Sequence, residues 1–155
     1  AKALEALFIE MRAYGYTDVS VTSAFRSYTL QGELFSKYTV GELQSHPGWT
    51  KEQAEAEVET YSARPGTSEH QLGLCADITD KFYEVKTQNL EKTALYQWMY
   101  AHCQDYGFIL RYPADKQDIT GVMYEPWHFR YVGKEAAAYI MENGLCLEEF
   151  LDLYK

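Results

Sequence analysis

Two short segments carry the residue types that hydrolytic metal chemistry needs. The first is Ser68-Glu69-His70-Gln71-Leu72-Gly73-Leu74-Cys75-Ala76-Asp77, and the second is Glu125-Pro126-Trp127-His128-Phe129-Arg130-Tyr131; between them they hold two of the chain's four histidines. His70, Asp77 and His128 together form a two-imidazole, one-carboxylate donor set. Such a set leaves one tetrahedral zinc position open to water, which is the pattern of catalytic rather than structural sites. A nearby Glu outside the ligand set, here Glu125, can take the proton of that water and pass it to a leaving amine. Zinc moves the pKa of a bound water from about 16 towards 7, so attack becomes feasible at neutral pH. Peptide hydrolysis also needs a donor for the developing oxyanion, and Arg26 is the candidate by its sequence context. Each piece alone has a plainer reading: a surface His–Asp pair, a chance Glu-x-x-His, a solvated Arg at a strand end. The combination in chain order carries the argument.

The elements that must position these groups can be read from side-chain alternation. In the strand pattern Leu74 to Thr79, Leu74, Ala76 and Ile78 share an apolar face, and Cys75, Asp77 and Thr79 share the other. His70 can reach Asp77 only if the chain turns between them, and Gly73 permits that turn. In the pattern Trp127 to Val132, Trp127, Phe129 and Tyr131 face one side, and His128, Arg130 and Val132 the other. Pro126 cannot donate a ladder hydrogen bond, so the strand should begin there. Glu125 then sits on the preceding bend, the one place from which it could turn towards His128.

Around these strands, the spacing predicts a helix up to about Tyr14, a strand over 19–24, and a helix from Thr29 to Tyr38. Gly41 to Trp49 reads as loop, with His46-Pro47-Gly48 as a turn signal. Thr50 and Gln53 form a capping box opening a helix from Lys51 to about Tyr61. Glu91 to Tyr106 reads as one long helix stopped by Gly107, followed by a short strand at Phe108 to Arg111 and a loop through Asp115 and Asp118. Lys134 to Glu142 and Leu147 to Tyr154 close the pattern as helices. No linker or repeat interrupts it. The fold class expected is α+β: a single domain over 1–155 with a small, mainly antiparallel sheet flanked by helices.

Composition bounds the rest. With 155 residues the chain can bury a sizeable core, and 46% apolar and 24% charged residues are ordinary for a globular domain. A net charge of −9 speaks against nucleic acid as a partner, because phosphate binding needs clustered Lys and Arg. Three scattered cysteines, Cys75, Cys103 and Cys146, do not make a disulfide framework, and buried structural thiols are expected.

The ordered set Ser68-x-His70-x-x-Gly73-x-x-x-Asp77 and Glu125-x-x-His128 resembles the signature of the zinc D-Ala-D-Ala peptidases. These comprise vancomycin-resistance D,D-carboxypeptidases and D,D-dipeptidases and the related L,D-carboxypeptidases of peptidoglycan. Ser23-Ala24-Phe25-Arg26-Ser27-Tyr28 followed by Gln31 resembles the substrate strand of that family, and Ala63-Arg64-Pro65-Gly66-Thr67-Ser68-Glu69-His70 its approach to the metal. The resemblance implies a hedgehog/DD-peptidase-like fold and one Zn²⁺ held by His70, Asp77 and His128. It also implies Glu125 as general base and Arg26 over the scissile carbonyl. Gln31 and Ser68 would hold the terminal part of the substrate, Ser68 having a second reading as the turn residue that fixes the loop before His70. Cys75 departs from the pattern, standing where the family commonly has Ala; it reads as a small buried filler, the other reading being oxidation sensitivity or metal contact.

The expected activity is removal of the C-terminal D-alanine from a peptidoglycan stem peptide or D-Ala-D-Ala-ending precursor, by a monomer. D,D-dipeptidase, bifunctional and L,D-carboxypeptidase activities are the alternatives within the class. A zinc-containing binding module and a metal-free structural domain are the alternatives outside it; Glu125 and Arg26 argue against the module, which needs neither a base nor an oxyanion donor. Mature peptidoglycan suggests an extracytoplasmic, membrane-anchored domain whose anchor lies outside the given sequence, with a cytoplasmic site of action as the alternative.

Overall fold

The computed structural model describes residues 1–80 and 86–155. Its centre is an antiparallel sheet of four strands, β1 (Ser20–Ser23), β2 (Cys75–Thr79), β3 (Phe108–Leu110) and β4 (His128–Tyr131), in the order β1-β2-β4-β3. Seven α-helices surround it among the described residues: α1 (Lys2–Ala13), α2 (Tyr28–Ser45), α3 (Lys51–Glu59), α4 (Ala94–His102), α5 (Gln117–Thr120), α6 (Lys134–Glu142) and α7 (Leu147–Asp152). The α+β expectation therefore holds. No described helix is long and apolar enough to cross a membrane.

Alternation sorts the two faces of the sheet. Ala76 and Ile78 of β2, Phe108 and Leu110 of β3 and Phe129 of β4 pack with Leu7 and Met11 of α1 and Leu95, Trp98 and Met99 of α4. That apolar face anchors the central pair β2–β4, in which Ala76 pairs with Phe129. The opposite face carries Cys75, Asp77, His128 and Arg130. Next to it, Ile109 packs with Ala137 and Ile140 of α6 in a second, smaller cluster.

Three elements differ from the sequence reading. The segment from Gly41 is not a loop, because α2 runs on to Ser45. Glu42, Leu43 and Gln44 are good helix formers, a single Gly costs only about 1 kcal/mol, and the real stop is His46, forced out of helical geometry by Pro47. The long helix expected over 91–106 is broken twice: a 3₁₀ turn at Gln88–Lys92 precedes α4, and another at Cys103–Tyr106 follows it. The first break lies at Thr93, whose hydroxyl accepts from the Tyr96 amide and caps α4. The loop after Tyr112 contains the single turn α5. The capping box at Thr50 and Gln53 forms as expected, with both hydrogen bonds present.

Gly107 turns the chain into β3. It sits at φ +84°, and a Cβ there would lie 3.1 and 3.2 Å from backbone carbons of Gly133 and 2.8 Å from the Tyr131 ring. Gly107→Ala should therefore destabilise the fold by about 2–4 kcal/mol, adding left-handed strain to a contact with backbone that cannot swing away. The measurement is the urea midpoint at unchanged slope; a loss below about 0.5 kcal/mol would contradict this account of the turn.

Candidate metal and catalytic site

β2 and β4 are in register so that Asp77 stands directly opposite His128. Their side chains leave the sheet on the same face, and His128 Nδ1 lies 3.1 Å from Asp77 Oδ1. His70 arrives from a 3₁₀ turn, Glu69–Leu72, that ends on Gly73 in the left-handed conformation (φ +66°). This is the turn that the Gly73 position predicts, and it brings His70 Nε2 to 3.5 Å from the same Asp77 oxygen. The two rings meet edge to face, with centroids 5.0 Å apart. All three residues are buried.

The far nitrogen of each ring is tied. His70 Nδ1 lies 2.6 Å from the Ala24 carbonyl, just beyond β1, and the Arg26 amide donates back to the His70 carbonyl at 3.1 Å. A carbonyl only accepts, so His70 carries its proton on Nδ1 and presents a lone pair at Nε2. His128 Nε2 lies 3.4 Å from Glu69 Oε2, which turns its Nδ1 lone pair inward in the same way. The inward nitrogens of two imidazoles and a carboxylate oxygen thus converge, an arrangement that a shared proton or a metal cation can satisfy. The two imidazole–Asp77 distances, 3.5 and 3.1 Å, lie close to the roughly 3.3 Å between neighbouring donors of a tetrahedral zinc. Asp77 Oδ2 is paired with the Lys86 ammonium. Burial would raise the Asp77 carboxyl, but the imidazoles and Lys86 hold it well below its ordinary value.

Glu125 lies on the bend foreseen before Pro126. The His128 amide donates to the Glu125 carbonyl at 3.1 Å, closing a tight turn over residues 125–128. That turn puts Glu125 Oε2 3.7 Å from His128 Nδ1. Burial pushes the carboxyl up to about 7, partly offset by the His128 charge. Trp127 belongs to this turn rather than to the strand, so it lines the cleft instead of sharing the apolar face of Phe129.

A cleft of about 340 Å³ opens over these groups. Arg26 and Ser68 line it, and Arg26 Nε has no hydrogen-bond partner among the described residues. Tyr38 and Tyr61 supply one wall, and Tyr112, Val122 and Met123 another. Gln31 is not in the cleft lining. It is fully buried beneath it, donating from Nε2 to the Ala63 carbonyl at 2.7 Å and so bracing the Ser62–Ala63 wall. Cys103 and Cys146 are buried thiols, as expected. Cys75 is buried too, yet its thiol lies among donors rather than in apolar packing: ligand atoms of His70, Cys75 and His128 all fall within 4.8 Å of one another. Burial would raise that thiol, but the two imidazoles hold it below its ordinary value.

The sequence reading passed over Glu69, Lys86 and Tyr112. Burial alone would raise the Glu69 carboxyl, but His128, Arg111 and Arg130 hold it at about 2. Its place beside His70 at the start of a 3₁₀ turn was the signal available. For Lys86, which falls outside both motifs, the sequence holds none.

Comparison with known proteins places the chain in a family. A model of the VanY family, described as D-alanyl-D-alanine carboxypeptidase, matches residues 1–134. A D-alanyl-D-alanine carboxypeptidase of Enterococcus faecalis is 45% identical over 153 residues, 98% of this chain and 54% of the relative. The chain thus spans about half the length of the curated relatives it matches. Among solved structures, VanYB in complex with D-alanine-D-alanine superposes with a TM-score of 0.87 at 44% identity, covering 99% of this chain and 81% of that one. A vancomycin-resistance D,D-pentapeptidase VanY variant in complex with Zn(II) gives 0.83 at 43% identity, covering 97% and 80%. The chain belongs to the VanY D-alanyl-D-alanine carboxypeptidase family.

Proposed function

We propose that this chain is a zinc-dependent carboxypeptidase that removes the C-terminal D-alanine from peptidoglycan stem peptides or their D-Ala-D-Ala-ending precursors. The observation that carries the reading is the convergence of His70 Nε2, His128 Nδ1 and Asp77 Oδ1 beneath a cleft that also holds Glu125 and Arg26. The names of the relatives support the substrate class, and a VanY structure with Zn(II) supports the metal.

His70, Asp77 and His128 hold the zinc, which supplies Lewis acidity and an acidified water when bound. The remaining steps fall to side chains. Glu125 accepts the proton of the attacking water and returns it to the departing amine of the D-amino acid. Burial raises the Glu125 carboxyl above its ordinary value, which favours its holding the proton between the two transfers. Arg26, which lines the cleft, donates to the oxygen on which negative charge grows. Ser68, on the cleft wall, takes the terminal carboxylate. Gln31 acts through the wall it braces rather than by touching substrate. Because mature peptidoglycan lies outside the membrane, we place the reaction there, with the domain anchored.

Two outcomes follow. Glu125→Gln should lower kcat by about 10²–10⁴-fold, the usual worth of a general base, while the purified variant retains one zinc by metal analysis; near-normal turnover would remove Glu125 from the mechanism. Mass spectrometry of products should show loss of one D-alanine from a pentapeptide ending in D-Ala-D-Ala. Cleavage confined to the free dipeptide, or to a tetrapeptide, would reassign the chain to dipeptidase or L,D-carboxypeptidase activity.

A further inference from the structure

His128 is held at both ends of its ring, and the far end leads out of the cleft. Glu69 Oε2 meets His128 Nε2, while Glu69 Oε1 accepts from Arg111 Nε at 2.7 Å and forms an ion pair with an Arg130 terminal nitrogen at 2.9 Å. Arg111 then gives both terminal nitrogens to Glu148 at 2.9 and 2.6 Å, a two-pronged carboxylate clamp. Its guanidinium lies over the Tyr112 ring at 4.6 Å, and that ring packs 5.0 Å from His128.

The charges in this chain balance, two arginines against two carboxylates, and the balance has a reason. Arg111 is 7% exposed, and a buried guanidinium left with a single partner is costly. Glu148 completes its pairing. The two arginines occupy Glu69 Oε1 and leave Oε2 for the imidazole. Glu148 lies in α7, beyond the residues 1–134 that the family model matches. That helix is seated independently: Leu147 and Phe150 pack on the Ile109 cluster, and Glu149 pairs with Lys116 at 3.1 Å.

We propose that Glu69 and, through Arg111, Glu148 are positioning residues for the metal ligand His128, so that the C-terminal helix α7 sets the metal affinity of the site. The inference rests on the zinc reading above. A carboxylate on the far nitrogen fixes the tautomer and the ring angle and makes the near nitrogen a better donor; loss of such a partner typically lowers metal affinity 10- to 100-fold.

The test is zinc affinity of the full chain, measured by competition with a chromophoric chelator, alongside melting of the metal-free protein. Glu69→Gln should bind zinc 10- to 100-fold more weakly. Glu148→Gln should weaken binding by a smaller factor, and should add little once Glu69 is already Gln, because it acts through the same link. Glu148 is the more exposed partner, so its variant keeps the test open if Glu69→Gln folds poorly. Zinc affinity unchanged in Glu69→Gln would overturn the proposal. So would a Glu148→Gln protein that melts lower but binds zinc like the wild type, since α7 would then be a purely structural strut. A wild-type protein that binds no zinc would instead overturn the metal reading beneath it.

Discussion

Asp77 places a carboxylate at the centre of the molecule, where an ionised group without partners costs several kcal/mol. Its Oδ1 faces two imidazole nitrogens, and its Oδ2 the Lys86 ammonium. The tautomers imposed from outside, by the Ala24 carbonyl on one ring and Glu69 on the other, aim both lone pairs at that oxygen. Without a metal, a proton on the imidazole bridges His128 to Asp77, which is why, although burial opposes it, that imidazole is held well above its ordinary value. The fold holds them together, and that enforced convergence is the constraint from which the rest of the site follows.

Each surrounding feature can be understood as maintaining it. The β2–β4 register sets Asp77 opposite His128, and the apolar pairing of Ala76 with Phe129 on the reverse face fixes that register, since a slip by one residue would turn the donors into the core. The irregular pairing between Val21 and Ser23 lets the chain leave β1 where Ala24 can receive His70 and Arg26 can enter the cleft. The turn at Glu125 brings a base to the same spot without lending it to the donor set. Cys75 is the oddity: a soft donor on the same face, two residues from Asp77, in a position where the family pattern commonly has Ala.

Much of this was legible in the sequence, and for identifiable reasons. Alternation assigns Asp77 and His128 to one face whatever the neighbouring elements do, and Gly73 and Pro126 mark where the chain must bend. Gly107 and the Thr50–Gln53 box are local signals that tertiary structure left intact. The sequence was silent where the answer depended on distant packing. Gln31 reads as a substrate contact from its motif, but only the seating of α2 against Ser62–Ala63 shows it beneath the wall. The pairing of Glu69 with Arg111 spans 42 residues, and no local pattern encodes it. The continuation of α2 past Gly41 depended on how far a single glycine is tolerated, which propensity alone does not decide.

The most direct test of the account is anomalous diffraction at the zinc edge from crystals grown with the metal. The account predicts one peak bonded to His70 Nε2, His128 Nδ1 and Asp77 Oδ1, with Glu125 close by but not coordinating. A peak bonded to His70, Cys75 and His128 while Asp77 stays on Lys86, or no peak between the two histidines, would contradict it.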